Sequence, residues 1–320
     1  VVIDASPRMR ERPIAEGVDM LRQLGAKIEY VEAEGRLPVR VVPRERLIGG
    51  EIHVERTASS QPLSAMLMIA PYVKNGVQLQ FKNHATSGSY IKLTWAILDS
   101  FEGLTEYDGD DLDFEGYGTL IDPAPPINMS VTSKGLKATT FIVEPDASSA
   151  VYWCLAASIS SGSKTNIPGM DGWTVQPDAV LLHSIDESSI DFDPDYLDYD
   201  GGSTHITHRG PLVIHEHDGT DSPDGSVAIA AVAALATKPV RITGLRTLRV
   251  KETARIAGLA NELRKVGCTV ETGEDWMSIT PPVPPAEPGG NGKPIIIETY
   301  NDHRMAMAFG ALGLNPPGGP

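Results

Sequence analysis

The segment best equipped for chemistry is Leu248-Arg249-Val250-Lys251-Glu252-Thr253-Ala254-Arg255. A helix beginning near Lys251 places Lys251 and Arg255 four apart on one face, with Glu252 beside them. Free N–H groups and the helix dipole attract an anion to such a start, and a carboxylate among the cations can exchange a proton with it. The same residues also read as an exposed helix start carrying an i,i+3 ion pair, and the local sequence leaves both readings open.

Other polar-to-helix junctions add to this one. Tyr300-Asn301-Asp302-His303-Arg304 puts two basic residues into a first turn, where the dipole opposes them unless an anion or carboxylate compensates. One alternative is structural, with Arg304 paired to Asp302 and His303 capping a turn. Asp224, in Ser222-Pro223-Asp224-Gly225, is either a helix N-cap or a general base. Ser59-Ser60-Gln61 offers hydroxyls and an amide that suit a phosphate or simply cap a helix. Arg8-Met9-Arg10-Glu11 parallels Arg249-Val250-Lys251-Glu252 at an offset of 241 residues. Two related basic helix starts suggest a cationic cleft suited to phosphate or carboxylate.

The elements that must carry these junctions repeat. Ala- and Met-rich helices are expected over 62–70, 148–159, 226–236 and 304–312, and Asp146, Asp224 and Asp302 stand 78 residues apart before three of them. A second type, over 13–24, 91–101 and 254–266, runs to a Gly stop. In the first and last of these a Leu-Arg pair precedes the Gly and a strand follows it. Strands are expected over 51–55, 77–81, 139–143, 212–215, 240–245, 277–280 and 295–299. Residues 212–297 read strand-helix-strand-helix-strand-strand, so the chain is read as repeated α/β modules around shared cores. Residues 107–137 and 186–221 read as irregular excursions. The second holds Asp191, Asp193, Asp195, Asp198, Asp200, His205, His208, His215 and His217, taken as a solvated loop and not as a metal site.

Composition limits what such modules can serve. With 320 residues, 41% hydrophobic and 22% charged, the chain has material for one large or two medium domains. Its longest apolar stretch, 227–236, is 10 residues, short of the roughly 20 that span a bilayer. A net charge of −15 disfavours nucleic acid and anionic lipid as partners, so an anionic ligand must meet a local basic cluster. Cys154 and Cys268 read as core residues of a protein in a reducing compartment. Without a Walker loop, a G-x-G-x-x-G turn, a G-x-S-x-G elbow or a Cys-His pair, the chemistry is expected to need no cofactor. The chain opens on Val1-Val2-Ile3-Asp4 and closes on Asn315-Pro316-Pro317-Gly318-Gly319-Pro320, and reads as an excerpt of a longer protein.

P-R-M-R-E-R-P (7–13), S-S-Q (59–61), E-P-D-A-S-S-A (144–150), R-V-K-E-T-A-R (249–255) and Y-N-D-H-R-M-A-M (300–307), in this order and spacing, resemble the 5-enolpyruvylshikimate-3-phosphate (EPSP) synthase family. The resemblance implies an α/β fold of two domains, 1–143 and 144–320, each an inside-out barrel of βαβαββ modules, with the first on the shikimate 3-phosphate side. It implies transfer of the enolpyruvyl group of phosphoenolpyruvate to the 5-hydroxyl of shikimate 3-phosphate through a tetrahedral intermediate. Asp224 and Glu252 would then handle protons. Ser59, Ser60, Gln61, Ser87, Tyr90, Asp224 and Lys251 would hold shikimate 3-phosphate, and Arg8, Gln61, Arg255, His303 and Arg304 would surround phosphoenolpyruvate, where the inhibitor glyphosate also binds. No metal or cofactor is implied, and the protein would act as a cytoplasmic monomer, or in a plastid if from a plant.

Where the family usually reads S-K-P-Y, this chain has Ser87-Gly88-Ser89-Tyr90, and Thr247-Leu248 stands where Asn-Trp commonly precedes R-V-K-E. The family's K-x-x-S-N-R, N-A-G-T-x-x-R and D-P-x-C segments have no counterpart, so this polypeptide alone is expected to turn over little or not at all. Two other readings remain: the enolpyruvyl transferase acting on UDP-N-acetylglucosamine, whose motifs lack R-V-K-E-T-A-R, and a non-catalytic anion- or metal-binding relative.

Overall fold

A computed structural model of the chain describes residues 1–43, 46–55, 59–82, 88–102, 105–108, 128–170, 174, 176–194, 203–249, 251–282 and 294–314. They fall into two compact units, Val1–Ile142 and Val143–Pro320.

The first unit runs β1 (Val2–Ile3), α1 (Pro7–Arg10), α2 (Ala15–Gln23), β2 (Lys27–Tyr30), β3 (Val39–Val42), β4 (Gly50–Val54), α3 (Gln61–Ile69), β5 (Val77–Phe81), α4 (Gly88–Ser100), β6 (Thr105–Asp108) and β7 (Asn128–Val131). The second runs α5 (Ala147–Ile159), β8 (Lys164–Pro168), β9 (Ile190–Pro194), β10 (Ser203–His208), β11 (His217–Asp218), α6 (Pro223–Val232), β12 (Val240–Thr243), α7 (Arg255–Lys265), β13 (Thr269–Thr272), β14 (Met277–Thr280) and α8 (His303–Leu312).

Each unit contains one full βαβαββ module, and the two share a topology. The sheets are ordered β4-β5-β7-β6 and β11-β12-β14-β13. In each, the first two strands are parallel (Ile52 opposite Leu79; His217 opposite Ile242), and the last strand runs antiparallel to both of its neighbours. Parallel strands need a crossover, which the helix between them supplies. Both helices of a module therefore start at the carboxyl ends of the parallel strands, the edge where open α/β sheets bind ligands.

The expected Gly stops close α2 and α7 alike. Gly25 at φ 94 and Gly267 at φ 91 take the left-handed turn that a side chain resists, while Ala26 N–H bonds Leu21 O and Cys268 N–H bonds Leu263 O. Arg22 and Arg264 then each reach six residues ahead to a strand carbonyl, Ile28 O and Val270 O. The Leu-Arg pair before each Gly thus corresponds to the same three-dimensional device.

The core of the second unit is built on Ala-rich helices. Val227–Ala234 is buried throughout, because a helix apolar on all sides has no face to offer water, and the short side chains let α5 and α8 pack close to α6. The first unit packs Leu24, Leu63, Leu67 and Leu98 onto Ile52, Leu79 and Met129 of its sheet.

Several expectations are corrected. Residues 139–143 and 295–299 form no strand, and Ile142, Val143 and Ile296 are exposed, since an extended run without a paired edge stays solvated. Residues 212–215 make only the isolated bridge Ile214–Ile185, and the strand lies later, at β11. The excursion 107–137 contributes β7, and the acidic, His-bearing region folds into β9, β10 and β11. There Ile190-Asp191-Phe192-Asp193 and Thr204-His205-Ile206-Thr207 alternate as half-buried strands do, a period masked by the number of charges. Asp195, Asp198 and Asp200 lie outside the described residues.

Candidate active site

Helix α7 begins at Arg255, not near Lys251. A single 3-10 turn, Arg246–Arg249, precedes it, and Lys251 and Glu252 lie in the bend between. They reach the site from a loop and not from a shared helical face. Lys251 and Arg255 nevertheless converge on one acceptor: Lys251 Nζ lies 3.3 Å and Arg255 Nη1 2.6 Å from Asp224 Oδ1. Arg304 Nη2, from the first turn of α8, lies 3.5 Å from Asp224 Oδ2.

Asp224 is not a cap. Ser222 is the N-cap of α6, Pro223 occupies the first helical position, and Asp224 follows with its carboxylate among three cations. The equivalent Asp146 and Asp302 do cap, accepting Ser148 N–H at 3.1 Å and Arg304 N–H at 3.0 Å. Asp302 does more, taking Arg255 Nε at 2.7 Å and Nη2 at 3.1 Å. Arg255 Nη2 also donates to Glu252 Oε2 at 2.7 Å. The Arg255 side chain is 1% exposed and that of Asp302 0%, so this fork is dry and geometrically set.

Charge balance within the cluster governs its chemistry. Burial pushes the Asp224 carboxyl up, but Lys251, Arg304 and Arg255 outweigh it and hold Asp224 below the usual carboxylate range. Burial works against the Arg304 charge, and Asp224, Tyr152 and Asp178 together more than restore it. Near them, burial pushes the Tyr152 phenol up to about 12, with Arg304 pulling the other way. Asp178, 1% exposed, accepts the Ser148 hydroxyl and closes this side next to Gly225. The cationic cleft expected from the sequence is therefore, within the second unit, a balanced cluster: Lys251, Arg255 and Arg304 already face Asp224, Glu252 and Asp302.

The structure thus brings together Asp224, Lys251, Glu252, Arg255 and Arg304. It leaves His303 outside: its side chain is 62% exposed and 4.0 Å from Asp302 Oδ1, because the second helical position of its turn is taken inward by Arg304. In the first unit, Ser59 Oγ accepts Gln61 N–H at 3.2 Å, Ser60 is buried at the start of α3, and Tyr90 lies in the first turn of α4. Thr94 Oγ1, 2.8 Å from both Ser64 Oγ and the Tyr90 carbonyl, ties these two helices together. Ser87 lies outside the described residues. Arg8 sits in α1, exposed and paired 2.5 Å from Glu11, and not at the start of α2. A groove of about 490 Å³ at the carboxyl ends of β4 and β5 is lined by His53, Val54, Glu55, Gln80, Phe81 and Lys82.

Sequence reasoning missed three members of the cluster. Asp302 is visible inside Y-N-D-H-R but reads there only as a partner of Arg304. Asp178 and Tyr152 carried no signal: one is a lone Asp after a proline, the other lies in an apolar helix. The four histidines of 205–217 do not gather; His208 Nδ1 meets Ser158 O, His215 pairs with Asp186, and His217 is buried. Among the described residues no three His, Cys, Asp or Glu are grouped to hold a metal, and no helix is long and apolar enough to cross a membrane.

Comparison with known proteins bears on this cluster. The family model for EPSP synthase (3-phosphoshikimate 1-carboxyvinyltransferase) matches residues 1–317. Proteins named 3-phosphoshikimate 1-carboxyvinyltransferase from Sulfurovum sp. and Vibrio cholerae are 35% and 36% identical over 98% of this chain and 67% of their own length. An EPSP synthase structure from Acinetobacter baumannii superposes with a TM-score of 0.66 at 21% identity, covering 98% of this chain and 66% of that one. The enolpyruvyl transferase NikO from Streptomyces tendae gives 0.59 at 16% identity, over 95% of this chain and 66% of its own. The chain spans about two thirds of the length of these relatives, and its α/β fold is theirs.

Proposed function

The chain belongs to the EPSP synthase family, and from that premise we propose that it carries the acceptor-binding and proton-transfer residues for enolpyruvyl transfer from phosphoenolpyruvate to shikimate 3-phosphate. The observation that carries this reading is Asp224, an ionised carboxylate ringed by Lys251, Arg255 and Arg304. The reaction joins two anions. The acceptor 5-hydroxyl adds to C2 of phosphoenolpyruvate and loses its proton while C3 gains one, and phosphate then leaves as C3 gives that proton back. A site for it needs cations for the two anions and carboxylates that can change protonation state.

The balanced cluster supplies both. An incoming phosphate or carboxylate competes with Asp224 for Lys251 and Arg304, the two cations of the ring that water still reaches, while Arg255 stays in its fork on Asp302. As those cations turn to the ligand, Asp224 loses what holds its pKa down and becomes a stronger proton acceptor. Glu252, half-exposed and bound through one oxygen to Arg255, is the second proton-handling group. Ser59, Ser60, Gln61, Ser87, Tyr90 and Lys251 hold shikimate 3-phosphate in this proposal, and residues 1–143 form the domain on that side. Arg8, Gln61, Arg255, His303 and Arg304 serve phosphoenolpyruvate. A cytoplasmic monomer working without metal or cofactor completes the reading.

Ligand-linked stabilisation tests it. Shikimate 3-phosphate with glyphosate at about one hundred times Kd raises the stability of the native chain by roughly 2.7 kcal/mol, read as a thermal shift. Stabilisation by UDP-N-acetylglucosamine in place of shikimate 3-phosphate, or by zinc alone, would overturn the assignment. Asp224→Asn is expected to keep phosphate binding and to lose proton transfer in a polypeptide that turns over.

A further inference from the structure

The backbone entering α8 is strained in a way the sequence does not announce. Tyr300 and Asn301 stand in succession at φ 56 and φ 55, a left-handed pair made without glycine. Such a pair persists only where the surroundings over-determine it, and Glu262 of α7 is what they meet. The Glu262 side chain is 1% exposed, and its Oε1 accepts the Tyr300 hydroxyl at 2.8 Å. Its Oε2 accepts Glu298 N–H at 2.9 Å and Lys265 Nζ at 2.6 Å. Burial acts to raise the Glu262 carboxyl, but these three donors outweigh it and hold it ionised. The Tyr300 ring lies over Gly258, where an added Cβ would stand 3.3 Å from a ring carbon.

The spacing along α7 gives this contact its meaning. Glu262 lies seven residues beyond Arg255, two turns along one face of the helix, with Gly258 between them. The strap 298–302 is thus fastened to α7 twice, at Glu262 through Tyr300 and Glu298, and at Arg255 through Asp302.

We propose that Glu262 is a positioning residue for the anion cluster: it clamps the left-handed strap onto α7 and so fixes Asp302, which in turn aims the Arg255 guanidinium at Asp224 and Glu252. Its bearing on catalysis rests on the enolpyruvyl-transfer reading. The clamp itself is a property of the ligand-free chain and is measured there.

The measurement is hydrogen exchange at the Arg255 Nε–H, followed by NMR in protein labelled with ¹⁵N-arginine, with α5 and α6 backbone amides as reference. Tyr300→Phe deletes one hydroxyl, which Asn261 also approaches, and Glu262→Gln removes the charge while keeping the shape. Both are expected to speed Arg255 Nε–H exchange by about tenfold, the worth of one charge-assisted hydrogen bond, with the reference amides unchanged. Asp302→Asn, which acts on Arg255 directly, sets the upper limit. Unchanged Arg255 exchange in both variants overturns the proposal. So does acceleration that only keeps step with α5 and α6, since Glu262 would then be serving overall stability. Local acceleration in a chain that fails to bind shikimate 3-phosphate supports the clamp and rejects the functional reading, which keeps the two separable.

Discussion

Two stretches of this chain look alike in sequence and end up in opposite physical states. Arg8-Met9-Arg10-Glu11 and Arg249-Val250-Lys251-Glu252 each precede a helix closed by Leu-Arg and a left-handed glycine. In the first, Arg8 pairs with Glu11 three residues away, and Arg10 with Asp4 and Glu32, all at the surface. In the second, Lys251 and Arg255 take partners 27, 31 and 47 residues away, from the starts of α6 and α8, and Arg255 is sealed from water. The helix ends agree because their bonds are local, whereas the charged starts differ because the second lies against a packed trio of Ala-rich helices and the first pairs with exposed carboxylates of its own unit. A charge pattern therefore says little about a site until it is known which distant element shares the space.

The sharpest way to break this contrast is to remove a partner from each side. Asp302→Ala leaves the buried Arg255 without its bidentate acceptor and is expected to cost the second unit about 3 kcal/mol in urea unfolding. Equal costs for Asp302→Ala and Arg8→Ala would end the distinction.

Acid provides the next largest effect. His217, between Ser184 Oγ at 2.7 Å and Ser226 Oγ at 3.0 Å, is pushed down to about 4 by burial, from an ordinary 6.5. The native state then binds its proton less readily than the unfolded chain does. His217 has no effect on stability above pH 6.5 and lowers it progressively as pH falls from 6.5 through 4, by roughly 3 kcal/mol in all. Unfolding followed against pH is expected to show the second unit losing this stability, and His217→Gln to remove the dependence. His53, the one histidine described in the first unit, is exposed.

Where the two stretches agree, matched substitutions should agree too. Arg22→Ala and Arg264→Ala each delete a reach to a strand carbonyl and are expected to cost about 1 kcal/mol, equal within a few tenths. A large inequality would mean that the shared helix end depends on its surroundings after all. The smallest effect belongs to the exposed start: Arg8→Ala should change stability by less than about 0.5 kcal/mol.

Much of the fold was legible before any coordinates. The Gly stops at Gly25 and Gly267, the Asp146–Asp224–Asp302 spacing and the helix-strand-helix order of 223–265 all follow from local stereochemistry and from the apolar surface each module must bury. The site was legible in part: Asp224, Lys251, Glu252, Arg255 and Arg304 do assemble. His303 did not follow its neighbour, because adjacent helix positions face about 100° apart and only one of them can turn inward. The strands expected at 139–143 and 295–299 failed for a related reason, since extended propensity forms no ladder without a facing edge.

From the sequence alone came the modules, their helix ends and the roster of charged groups, because these depend on backbone preferences and on periods of two and 3.6 residues. Tertiary structure alone decided which carboxylate each cation meets, that Asp224 escapes the cap its spacing implies, and that a left-handed strap pinned at Glu262 delivers Asp302 to Arg255. Those choices join residues dozens of positions apart, and their energies exist only after packing has excluded water and lowered the dielectric around them.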